Sequence, residues 1–142
     1  MFRSGLSVFL GFVLMAILVK SYQMVLWMTM PDIFPTPEQI ESGDILLMPI
    51  GINVLMIVVD TLIGAFVGYF AIAIAGGSRI GHALSLAVLV IAMSLLSLSQ
   101  SLALETVGYV WFRFLLVPIC VVAGGLVRCK QQPPSGETEA TS

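Results

Sequence analysis

The sequence predicts an all-α integral membrane four-helix bundle, with both termini in the cytoplasm and a short acidic outer loop. Three observations predict it: four long apolar runs, too little charge to cover a water-facing surface, and basic residues confined to one set of connections. Of the 142 residues, 58% are hydrophobic and 10% charged, where soluble domains carry roughly a quarter charged residues. With a mean hydropathy of +1.06, the chain has lipid as its main solvent. The net charge of −2 gives no footing for nucleic acid or for steering a charged ligand.

The first run covers about 5–30 and ends at Pro31. Arg3 and the apolar stretch after it imitate a signal peptide, but no small-residue cleavage site follows and the run continues through Trp27. It is read as a retained helix. The loop from Pro31 to Met48 holds Asp32, Glu38, Glu41 and Asp44 and no Lys or Arg. Within it Thr36-Pro37-Glu38-Gln39 reads as a capping box, with Pro at the first helical position. Gly43 then closes a helix of little more than one turn, lying on the outer surface with Ile40 toward lipid.

The second run covers about 49–75 and stops at Gly76-Gly77-Ser78-Arg79. The third covers about 80–99, and the fourth about 106–127, where Pro118 predicts a kink. Each reaches the ~20 residues that cross a ~30 Å hydrocarbon core. Only helices and closed barrels satisfy the backbone in lipid, and these runs lack a barrel's alternation. The four helices form one transmembrane domain over 1–130, and the Pro/Ser/Thr/Glu-rich 131–142 reads as a disordered cytoplasmic tail.

Orientation follows from the distribution of Lys and Arg. Arg3 precedes the first helix, Arg79 separates the second from the third, and Arg128 and Lys130 follow the fourth. The charged residues of the opposite connections are all acidic, including Glu105. Every basic residue outside the helices therefore falls on one side, the cytoplasmic one.

Three charges lie at membrane depth: Lys20, Asp60 and Arg113. Counted from Trp27, Pro49 and Thr106, all three fall roughly 10–16 Å below the outer boundary. They are expected to form an intramembrane polar cluster, in which Asp60 pairs with Lys20 or Arg113. The competing reading is snorkelling: Lys20 and Arg113 reach up to the outer headgroups, among an aromatic belt of Tyr22, Trp27, Tyr109 and Trp111. Asp60 is too short to snorkel, so it is paired, protonated, or facing water.

Asp60 also begins a stripe. Gly64, Gly68, Ala71 and Ala75 follow it at helical spacing, and Gly64 to Gly68 is a GxxxG match that lets another helix approach backbone to backbone. These residues are expected to form a helix-packing face inside the bundle, with a homodimer contact as the competitor. The third helix adds Ser85, Ser94, Ser97, Ser99 and Ser101, with Gln100 at its outer end. Serines in membrane helices bond to their own backbone or pack as small residues, and a solute path is the lesser reading. Lone His82, beside Gly81, reads as a headgroup-level polar residue. Cys120 and Cys129 share one segment, so they read as thiols and not as a disulfide framework; Cys129, at the membrane edge, is a weak lipidation candidate.

Gly68-Tyr69, Ala71, Ala73, Ala75-Gly76 and then His82-Ala83-Leu84, with Trp111 and Gly124-Gly125 in the fourth run, resemble a group of small bacterial four-helix membrane proteins. The resemblance covers most of the helical region and implies that fold and a bacterial inner-membrane location, with no activity attached. The small drug-efflux proteins resemble the chain in size only, since their essential carboxylate is in the first helix, where this chain has Lys20.

The function expected is non-enzymatic: an accessory, scaffold or assembly subunit of a larger membrane complex. Its partners would be the lipid bilayer and other membrane subunits or itself, with no nucleic acid. The alternative is a homo-oligomeric transporter or channel for a small solute or ion, with Asp60 as the coupling carboxylate and Lys20 and Arg113 as modulators. No spacing supplies a catalytic set, a metal site or a cofactor box.

Overall fold

A computed structural model of the chain describes residues 2–33, 38, 49–75, 80–98 and 107–131. Among them are four helices and no strand: α1 (Phe2–Thr29), α2 (Ile50–Ala75), α3 (Gly81–Leu96) and α4 (Val107–Gln131), with a short 3-10 turn at Pro31–Ile33. The helical turn expected around Thr36 to Gly43 lies outside the described residues, but for Glu38. So do Ser99, Gln100, Ser101 and the C-terminal stretch beyond Gln131.

Helix ends follow local chemistry. α1 stops ahead of Pro31, because a proline disfavours helical geometry in the residue before it. At that end the Thr29 hydroxyl donates to the Val25 carbonyl at 2.8 Å. α2 begins just after Pro49, whose carbonyl accepts from the Ile52 and Asn53 amides at 3.0 and 3.2 Å. α4 runs four residues past its expected end, with Arg128 and Lys130 in its last turn, where cations complement the helix dipole.

α3 is shorter than expected. It spans 16 residues and ends at Leu96 rather than near residue 99, a length of about 24 Å. Ser97 caps it, and its hydroxyl bonds back to the Met93 and Ser94 carbonyls at 3.3 and 3.2 Å. That back-bonding competes with continuation of the helix ladder. Three helices, α1, α2 and α4, are thus long and apolar enough to cross a membrane, while α3 is a shorter apolar helix.

The helices close a ring in the order α1, α2, α4, α3, with α2 also touching α3 across it. The most extensive contact is between α2 and α4. Those two run parallel: Asp60 meets Arg113, Gly64 meets Val117 and Gly68 meets Val121, both sequences rising together. α1 runs antiparallel to α2, since Tyr22 meets Asp60 while Gly11 meets Val67 and Ala71.

Glycine sets the closeness of α2 and α4. A Cβ on Gly68 would land on the Val121 carbonyl, and one on Gly124 on the Ala65 carbonyl. The stripe from Asp60 is therefore turned inward, with Gly64, Gly68 and Ala71 buried and Ala75 half-buried. The core behind it is Val67, Ala71, Leu86, Ala87 and Val121. Outside, Phe9, Leu62, Phe66, Val88, Leu115 and Ile119 are each more than half exposed. A bundle bathed in water would carry polar side chains on that surface.

Candidate functional site: a buried carboxylate held by arginine and tyrosine

Asp60 lies mid-way along α2, on the face that also buries Asn53, Ile57, Gly64 and Val67. Only 3% of it is exposed. An ionised carboxylate at that burial must be answered by charge and hydrogen bonds. One of its oxygens, Oδ2, stands 2.5 Å from Arg113 Nε on α4. The other, Oδ1, accepts a 2.6 Å hydrogen bond from the Tyr22 hydroxyl on α1. α1 and α4 are therefore joined through Asp60, although they stand on opposite corners of the ring.

The elements deliver these groups for separable reasons. α2 and α4 are parallel and locked by the glycine contacts one and two turns further along, so Arg113 arrives level with Asp60. Tyr22 belongs to the inward stripe of α1, which runs Ser7, Gly11, Leu14, Leu18, Tyr22 at spacings of three or four residues. Ser7 and Gly11 on that stripe are buried, and Leu14 and Leu18 pack against the core.

The expected cluster is corrected at one position. Arg113 joins Asp60, but Lys20 does not: it lies exposed on α1. Two residues on a helix are about 200° apart around its axis. Turning Tyr22 toward α2 necessarily turns Lys20 away. Tyr22 fits an outer aromatic belt by sequence, but its depth, level with Asp60, is the signal for the inward role, since a buried tyrosine hydroxyl finds a partner. Buried Ser7 and Asn53 also carried no distinguishing pattern in the sequence.

Among the described residues, the serines, histidine and cysteines singled out in the sequence lie elsewhere. Ser85 is exposed, and Ser97 is spent on its own backbone. His82 lines an open groove between α1 and α3 with Gly5, Val8 and Phe9. A second open groove of about 600 Å³ runs between α2 and α4, lined by Val54, Val58, Thr61, Tyr109, Phe112 and others. It is apolar, and neither Asp60 nor Arg113 lines it. Cys120 and Cys129 lie on one helix about 13 Å apart along the axis, beyond disulfide reach, and no disulfide joins them.

Near the far end of the bundle is a second polar group that sequence reading passed over. Arg128 on α4 stands over the Tyr69 ring of α2, its Cζ 5.4 Å from the centroid. Its Nη1 donates to the Tyr69 hydroxyl at 3.4 Å. That hydroxyl in turn donates to Gln131 Oε1 at 3.0 Å, so Gln131 is helical and engaged rather than the start of the tail.

The chain matches no family model, no curated protein and no solved structure.

Removing the tyrosine contact alone tests how the triad divides its work. Tyr22→Phe is expected to cost about 1 kcal/mol, because Asp60 keeps its arginine. Lys20→Gln is expected to leave stability unchanged. Unfolding by titration with a denaturing detergent, for both variants beside wild type, checks this order.

Proposed function

We infer that the chain is a non-enzymatic, four-span protein of the bacterial inner membrane, with both termini in the cytoplasm. It acts as an accessory, scaffold or assembly subunit of a larger membrane complex. The positive-inside distribution of Arg3, Arg79, Arg128 and Lys130 supports the orientation. The apolar exterior on every helix supports residence in lipid. α3, the short helix, crosses with local thinning of the bilayer.

One observation carries the functional reading. Both oxygens of Asp60 are committed inside its own bundle, one to Arg113 and one to Tyr22. A transport carboxylate has to exchange its partner for a proton, an ion or a solute. A carboxylate held from two sides, with an apolar groove between α2 and α4, is suited instead to fixing the register of three helices. What remains for recognition is the outside of the bundle, which is apolar and ridged, the kind of surface that packs against other membrane helices.

The test is the native mass of the tagged protein, extracted gently from its own membranes with its neighbours identified. A stoichiometric larger complex is the expected result and names the function through the partner. A discrete homo-oligomer alone overturns the subunit reading and transfers the weight to transport, with Asp60→Asn in a flux assay as the next experiment.

A further inference from the structure

The charge of Arg113 is answered by Asp60; that of Arg128 is answered by no carboxylate among the described residues. Asp32, Glu38 and Asp60, the described carboxylates, are on the outer half of the bundle by the proposed orientation. Arg128 lies about 22 Å further along α4 than Arg113, which puts it at the opposite membrane surface. There it is half-buried against α2, and its Nε is shut away without a hydrogen-bond partner.

Its neighbours hold it in place but do not satisfy it. The Tyr69 ring supports the guanidinium face, and the Tyr69 hydroxyl accepts a single long hydrogen bond while donating its own to Gln131 Oε1. A guanidinium carries five N–H donors, and the contact with Tyr69 uses one. Nε is buried, so the N–H groups left on Nη1 and Nη2 form the free edge of the fork, held at a fixed height by the Tyr69 ring. A planar fork of this kind matches the oxygens of a phosphate, to which it can donate two parallel bonds. Basic residues between helices on the cytoplasmic side of a membrane are where anionic headgroups bind.

We propose that Arg128, supported by Tyr69, forms a binding site for a phosphate group at the cytoplasmic membrane surface. The phosphodiester of an anionic phospholipid is one source of that chemistry, and a free phosphate ion is the other. The site rests on the membrane reading and on the inward placement of residue 128. It does not depend on whether the chain is a subunit or a transporter.

The experiment titrates the purified full chain in detergent with phosphatidylglycerol and reads the bound lipid by native mass spectrometry. One lipid per chain is expected to bind to wild type ahead of the rest. Arg128→Gln is expected to weaken that lipid about tenfold, the loss of one charge-assisted contact. Lys130→Gln, two residues on and turned about 200° away around the helix axis, is the control and is expected to leave that lipid's binding unchanged. Arg128→Lys keeps the charge without the fork, so it guards against a folding defect in the glutamine variant; an intermediate weakening is expected. Equal lipid binding by wild type and either Arg128 variant overturns the site, and leaves the native mass in gentle extracts untouched as the separate test of the subunit reading. Inorganic phosphate divides the two sources: displacement of the lipid assigns the site to a free phosphate ion, and retention assigns it to a headgroup.

Discussion

Replacing Arg113 with leucine is expected to destabilise the bundle by about 3–5 kcal/mol, the largest loss from any single side chain in the chain. The reason is what stays behind. Asp60 is 3% exposed, and without the guanidinium its carboxylate keeps only the Tyr22 hydroxyl. It must then take up a proton or draw water into the helix contact. Removing the carboxylate in the same molecule lifts that burden. The pair Asp60→Leu with Arg113→Leu is expected to recover most of the loss, since replacing a buried ion pair by apolar groups is often close to neutral. Asp60→Leu alone should fall between the two, because Arg113 is partly exposed, 21% at its side chain, and long enough to reach the interface. Detergent-induced unfolding of the four proteins gives the coupling energy directly. If the double variant were as unstable as Arg113→Leu, the cost would lie in lost packing and not in an abandoned charge.

Gly68→Ala is expected to cost about 3 kcal/mol, at the upper end for one added methyl group in a packed interior. A Cβ at that position falls on the Val121 carbonyl, which is backbone and cannot swing aside. The helices have to separate. Gly124→Ala meets the Ala65 carbonyl in the same way, from the other helix. Because one outward shift of α4 relieves both collisions, the double variant should cost clearly less than the sum of the singles. Gly5 and Gly51 provide the control, since a Cβ on either meets nothing; alanine there should be neutral or slightly stabilising. Full additivity of Gly68→Ala and Gly124→Ala would show the two contacts to be independent and the common shift wrong.

How much of this was legible in the sequence depends on which coordinate is asked for. Depth along a helix follows from counting at 1.5 Å per residue, so the level shared by Asp60 and Arg113 could be read directly. Rotation about the axis needs an apolar stripe that contrasts with a polar one. α1 offers almost none: apolar side chains surround it, with Phe9, Ile17 and Val25 exposed as well as Leu14 and Leu18 turned in. Lys20 and Tyr22 were therefore interchangeable on paper, and only the tertiary contacts chose Tyr22. The glycine stripe of α2 was legible because its spacing is helical and its residues are small. Its partner was not, for helices adjacent in sequence are the usual neighbours, and α2 packs most closely on α4. The end of α3 turned on Ser97, whose hydroxyl had a local alternative that hydropathy does not register. Arg128 was counted for topology, and its position over the Tyr69 ring depends on the same parallel pairing that could not be foreseen.

That parallel pairing has a consequence for biogenesis. A ribosome delivers the chain N-terminus first, and Arg113 follows Asp60 by about 50 residues, on the order of 3–10 s of synthesis. During that interval α2 is present and α4 is not. The carboxylate has one companion already made, Tyr22, on the helix synthesised immediately before it. The tyrosine thus holds a place that the arginine later completes, and closure of the triad has to wait until α4 joins the bundle.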